Sequence, residues 1–124
     1  MDTRVWTTDE AECVENAVRA YRASNPLVSI HINRVFERPP LTRTPGSHAL
    51  YLRALRIAAE LGFELGAARV GGASDGNLIA AAGVPTLDGL GPKGGGAHAR
   101  EEFIVVSDLP RRAALLARFV SEQE

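Results

Sequence analysis

The chain has 124 residues, 14 Lys plus Arg against 15 Asp plus Glu, one cysteine and 45% apolar residues. That size supports one hydrophobic core, while the balanced charge argues against a dedicated nucleic-acid binder. A single cysteine, Cys13, excludes an intramolecular disulfide framework and a multi-cysteine zinc finger. No apolar run approaches the roughly 20 residues of a membrane span, and the Met1-Asp2-Thr3-Arg4 start shows no secretory signal, so a cytoplasmic protein with no membrane partner is expected.

In chain order, Thr3 to Trp6 form a short β-prone run, and Thr7 with Glu10 has capping-box spacing. Asp9, Glu10 and Glu12 suit the positive end of a helix dipole. Val14, Ala17, Val18 and Tyr21 then give an apolar stripe that Asn25-Pro26 is expected to end. Cys13 falls in this helix and reads as structural. Val28, Ile30 and Ile32 alternate with Ser29, His31 and Asn33, the pattern of a half-buried strand. Arg38-Pro39-Pro40 interrupts it, because proline donates nothing to a ladder and restricts the residue before it. A domain boundary or hinge is placed from Glu37 to Pro45.

Pro45 suits the first turn of a second helix, with Tyr51, Ala54, Leu55, Ala58 and Leu61 on one face and Gly62 as its stop. A strand over Ala67–Val70, a small helix over Leu78–Ala82 closed by Gly83, and strands over Val84–Leu87 and Phe103–Val106 follow. Ser107 or Asp108 caps a last helix, with Pro110 in its first turn and Leu109, Ala113, Leu116, Ala117 and Val120 facing inward. Strands alternating with helices after Pro45 predict an α/β layer with some parallel pairing.

Nine of the twelve glycines lie between Gly71 and Gly96. Gly71 to Asn77, between a strand and a helix, reads either as an anion-binding turn or as a tight turn capped by Ser74 or Asp75. The Gly-Lys-Ser/Thr ending of a phosphate loop is absent. His98 ends the second glycine run and reads equally as a metal or acid/base candidate or as an exposed loop residue. His31 and His48 read as solvated. Arg4 and Arg38 carry the planar fork that recognises carboxylates, and also suit a surface role.

Taken together, Gly71 to Asn77, Gly83 to Gly91, Gly95-Gly96-Ala97-His98-Ala99 and Glu102-Phe103-Ile104 resemble the C-terminal signature of a dizinc metallopeptidase family. Its members include glutamate carboxypeptidase, acetylornithine deacetylase, succinyl-diaminopimelate desuccinylase and aminoacylase, and the glutamate carboxypeptidase-like branch fits best. Asp2-Thr3-Arg4-Val5 is similar to a strand of that family's lid, and Arg38-Pro39-Pro40 to the return into its catalytic domain.

The resemblance implies an α/β fold: residues 1–38 as the last part of an α+β lid, or dimerisation, domain, and residues 39–124 as the closing part of a zinc-peptidase catalytic domain. It implies His98 as a zinc ligand, Arg4 and Arg38 as holders of the substrate carboxylate, and Ser74 and Asp75 as residues shaping the substrate cleft. Ala73 stands where some relatives carry glycine. Two zinc ions, with cobalt or manganese as alternatives, and a homodimer through the lid are implied for the longer protein. So is the hydrolysis of N-acylated amino acids or small peptides. The family's H-x-D histidine, bridging aspartate and Glu-Glu pair precede the lid, so a chain starting at Met1 supplies one metal ligand and no general base. The expectation is a catalytically silent fragment. The alternatives are a short dimerisation or binding module, or an anion-binding domain built on Gly71 to Asn77.

Overall fold

The computed structural model describes residues 3–33 and 38–122. Asp2 of the lid-strand signature and Glu37 of the boundary lie outside them. The described chain is helix-rich, with four α-helices and one two-stranded sheet. It divides into two compact units, one made of Met1–Arg43 and Arg69–Val84, the other of Thr44–Ala68 and Pro85–Glu124.

In the first unit, α1 spans Thr8–Ala20. The Thr7 hydroxyl accepts from the Glu10 amide at 3.2 Å, and the Glu10 carboxylate accepts from the Trp6 amide at 2.7 Å. The Thr7 half of the expected capping box is present, while the Glu10 carboxylate reaches one residue past the cap, to Trp6 in place of Thr7. The helix ends at Ala20, ahead of the expected Asn25-Pro26 stop. Asn25 instead accepts the Leu27 amide on its own side chain at 2.9 Å, which favours a turn over another helical turn. No α1 residue is fully buried, and Cys13, expected to be structural, is exposed.

Neither Thr3 to Trp6 nor Val28 to Ile32 forms a strand, although Val28, Ile30 and Ile32 are 52%, 43% and 41% exposed, close to the half burial expected. Alternation makes a strand only where a second strand accepts its hydrogen bonds, and none does so among the described residues. Later in the same unit, α3 spans Gly76–Ala81. Gly83 at φ +87° ends it, with Gly83 N–H donating to Ala80 and Val84 N–H to Ile79. These two backward bonds are the Schellman pattern, which requires a left-handed residue at that point.

In the second unit, α2 spans Pro45–Glu60. Thr44 and Ser47 exchange side-chain and backbone bonds at 3.1 and 2.9 Å, and Pro45 takes the first turn, where its missing N–H costs nothing. Gly62, at φ +76°, closes the helix with the same Schellman pair, Gly62 to Ala59 and Phe63 to Ala58, both at 3.0 Å. The predicted face is correct at Ala54 and Ala58, and Ile57 joins them as a fully buried residue.

α4 spans Leu109–Ser121, after one 3-10 turn at Val106–Asp108. Ile57, Ala58 and Leu115 form the core, flanked by Leu61, Phe63, Leu65, Leu90 and Phe119. The expected inward face of α4 is wrong. Leu109, Ala113, Leu116, Ala117 and Val120 are exposed, and the buried side is Arg112, Leu115 and the half-buried Phe119. Asp108 does precede the helix, but its carboxylate makes no cap bond.

The sheet is also smaller than expected. β1, Gly94–Gly95, pairs antiparallel with β2, Phe103–Ile104, with Gly94 opposite Ile104 and Gly95 opposite Phe103. Ala67 to Val70 and Val84 to Leu87 form no strand, so no parallel layer is built among the described residues. A parallel strand is stable when neighbours pair with both its edges and both its faces are covered. Val70 and Val84, 70% and 52% exposed, have no such cover.

Candidate functional site

Four of the five residues singled out from the sequence meet in the first unit, around the turn from Gly71 to Asn77. Two segments distant in sequence each bring an arginine to it. Arg4 Nη1 donates to the Gly71 carbonyl at 2.9 Å, and its Cδ would lie 3.1 Å from a Cβ placed on Gly71. Arg38 Nη1 donates to Asp75 Oδ1 at 2.7 Å, an ion pair in which the arginine side chain is 25% exposed and the aspartate 86%. A side chain at position 71 would meet the Arg4 side chain closely, and Arg4 would have to shift by a few tenths of an ångström.

Ser74 and Asn77 build the turn itself. The Ser74 amide donates to Asn77 Oδ1 at 2.9 Å, and the Gly76 amide donates to Ser74 Oγ at 3.1 Å. Asn77 Nδ2 donates in turn to the Pro39 carbonyl at 2.8 Å, and Asn77 is the buried residue of α3. Asn77 was not singled out by sequence reasoning. Its signal was a polar residue three positions after Ser74 at a helix start, where a side-chain amide can satisfy backbone groups on both sides. Asp75 precedes the helix but gives it no side-chain bond, so Ser74 and Asn77 do the work first assigned to Ser74 or Asp75.

His98 lies in the second unit, on the loop between β1 and β2. The glycines before it are dictated by backbone crowding. A Cβ on Gly94 would sit 2.3 Å from the Phe103 carbonyl oxygen, and one on Gly95 would press on the Phe103 ring at 2.9 Å. Gly96, at φ +67°, accepts from the Ala99 amide at 2.8 Å. Within this tight turn His98 itself has φ +67°, the one non-glycine left-handed residue described, and its side chain is exposed. Such a conformation costs on the order of 1–2 kcal/mol for a residue with a Cβ, and it is found preferentially where a side chain must be displayed. His31 is exposed as expected, whereas His48 is half-buried in α2.

Near the base of the hairpin, Asp108 Oδ2 accepts from the Lys93 amide and from Arg112 Nε, each at 3.0 Å. The Lys93 amide first, and the guanidinium second, hold the Asp108 carboxyl below its usual range. The far end of α4 carries a closed ring of four charges: Arg56 pairs with Glu60 and Glu122, and Arg118 pairs with the same two. Arg53 spans to the last turn of α4, donating to the Phe119 and Glu122 carbonyls with its Cζ 4.5 Å from the Phe119 ring centroid. Carbonyls that a helix end leaves unpaired are thereby used.

A complete metal centre is a different matter. Zinc in a protein takes three or four side-chain ligands. Among the described residues no three of His, Cys, Asp or Glu come together in a group able to hold a metal ion. The donor set here, with no such group around His98, does not fit a whole metal site.

The chain belongs to Peptidase family M20/M25/M40, whose sequence pattern matches residues 3–122. It is similar to the carboxypeptidase G2 of Pseudomonas sp. (strain RS-16), with 29% identity over 106 residues. That alignment covers 84% of this chain and 26% of the relative, so the chain spans about a quarter of the relative's length. No solved structure gives a significant match. The family expected from the glycine motifs is therefore the right one. No helix among the described residues is long and apolar enough to cross a membrane.

Proposed function

We propose that this chain is the C-terminal portion of a metal-dependent carboxypeptidase or deacylase that cleaves the amide bond of N-acylated amino acids or small peptides with a free carboxylate. The observation that carries the reading is the family match along residues 3–122 by a chain corresponding to only 26% of a carboxypeptidase. In this reading residues 1–38 belong to the lid and residues 39–124 to the catalytic domain. Arg4 and Arg38 hold the substrate carboxylate, because a planar fork on a carboxylate fixes the register of the amide to be cut. Ser74 and Asp75 shape the same cleft, and His98 gives one ligand to a metal, zinc in the first instance and cobalt or manganese as alternatives. A homodimer through the lid belongs to the same proposal.

The 124-residue chain by itself is then a part of the machinery that does not turn over substrate. Purified, it is expected to retain less than one equivalent of tightly held zinc and to leave N-acyl amino acids intact. Zinc-dependent hydrolysis by this chain would refute the proposal. The DNA preceding the Met1 codon gives an independent check. An open frame carrying H-x-D and Glu-Glu motifs supports the reading, while an in-frame stop with a ribosome-binding site favours a short dimerisation or binding module.

A further inference from the structure

The bonds of the Gly71 to Asn77 turn divide its polar residues by task. Ser74 and Asn77 satisfy the backbone at the start of α3, and Asn77 ties the turn to Pro39. The Asp75 backbone carbonyl accepts from the Leu78 and Ile79 amides, but its side chain contributes no bond to the helix start; the carboxylate accepts instead from Arg38 Nη1, at 2.7 Å. An acid is therefore not required there for the turn to fold, and its chemistry is directed at the arginine. The guanidinium has five donors in one plane, and a carboxylate of any origin competes for the same edge. The aspartate is the solvent-facing member of the pair, at 86% exposure against 25% for Arg38, so it can swing away without opening the fold.

We propose that Asp75 is a resident counter-ion for Arg38, holding the guanidinium in place until a ligand carboxylate displaces it and thereby setting how tightly such a ligand binds. This rests on the reading of Arg38 as a carboxylate holder. An exposed ion pair is weak, so the displacement costs little: removing the competitor should tighten carboxylate binding by no more than about fivefold.

The test uses the 124-residue protein, with N-acetylglycine as the probe and the neutral N-acetylglycinamide as the control. Binding is followed by the amide chemical shifts of residues 71–77 in the wild type, Asp75→Asn, Arg38→Ala and the double variant. The expected result is saturable binding that Asp75→Asn tightens up to about fivefold, that Arg38→Ala removes in both backgrounds, and that the neutral control does not show. Asp75→Ser repeats the measurement should Asp75→Asn disturb the amide spectrum elsewhere. If Arg38→Ala abolishes binding but neither position-75 variant tightens it, the counter-ion role is overturned and the carboxylate reading stands. If Arg38→Ala leaves binding unchanged, or no protein shows a saturable shift, the carboxylate reading falls and the counter-ion role falls with it.

Discussion

Leu115 and Leu116 are neighbours on α4, and the sequence pattern and the structure disagree about which one holds the helix in place. Leu115 has no exposed surface and is part of the core with Ile57 and Ala58; Leu116 is 40% exposed. Truncating Leu115 to Ala removes three carbons from a dry site, about 2.4 kcal/mol at ~0.8 kcal/mol per methylene. The residual cavity adds to this, but five of the surrounding residues are only partly buried and can relax inward. A total of about 2.5–3.5 kcal/mol is expected, towards the low end of the range for buried leucines. Leu116→Ala leaves no enclosed cavity and loses only the covered part of its transfer energy, about 1 kcal/mol or less once the better helix propensity of alanine is included. Urea unfolding followed by circular dichroism at 222 nm separates them. With a slope near 1 kcal/mol per molar, the two midpoints should differ by about 1.5–2.5 M. A unit with so small a core has little stability to spare, so Leu115→Ala already unfolded in buffer is the extreme form of the same result. Equal midpoints, or a larger loss for Leu116→Ala, would refute the assigned face of α4.

The hairpin makes two further predictions. Gly94→Ala puts a methyl 2.3 Å from the Phe103 carbonyl oxygen, so it should cost about 1–3 kcal/mol and abolish hydrogen-exchange protection of the Val105 amide, while Gly91→Ala, with nothing within 4 Å, should be tolerated. His98→Gly removes the left-handed strain and should stabilise the unit by about 1 kcal/mol, read as a rise in thermal midpoint that His98→Ala does not reproduce. The Asp108 carboxyl is held below its reference value of 3.8, so its contribution to stability is complete above that pH and is lost as the pH falls through the lower, folded value. Glu60, held down chiefly by Arg118, and Glu122, likewise by Arg118, lose theirs below a reference of 4.5. Acid titration of the wild type and Asp108→Asn, each followed by urea unfolding, should show a shallower decline in the variant below about pH 4.

What was legible in the sequence was local. Thr7 with Glu10, Pro45, Gly62 and Gly83 each act within five residues of themselves, and each performs at a helix end the task its type suggests. Strands were misread because the decisive partner lies elsewhere in the chain: Val28 to Ile32 has the right alternation and no ladder, whereas Gly94–Gly95 has no strand propensity and pairs because only glycine lets it approach Phe103. At the site, a glycine-rich turn was visible, but not that Arg4 and Arg38 both reach it, contacts that span 67 and 37 positions. Asn77 was hidden for the opposite reason. Its residue type is ordinary at a helix start, and its importance comes from a bond to Pro39, 38 positions away.

Helix α4 shows why apolar count alone is a poor guide to the inward face. Leu109, Ala113, Leu116, Ala117 and Val120 share helical spacing as well as Arg112, Leu115 and Phe119 do, so periodicity allows either side. The buried side is the one with two cationic groups against it, which normally argues for solvent. Both are paired, although Arg53 Nε is buried without a hydrogen bond. Arg112 is bonded to Asp108 and lies 5.6 Å from the Phe63 ring centroid, while Arg53 covers Phe119 and satisfies the carbonyls at the helix end. Asp108 in turn fastens the Lys93 amide, which joins α4 to the hairpin that displays His98. The richer apolar stripe offers none of these bonds. In this unit these polar pairings let the side that carries Leu115 face inward against Ile57 and Ala58.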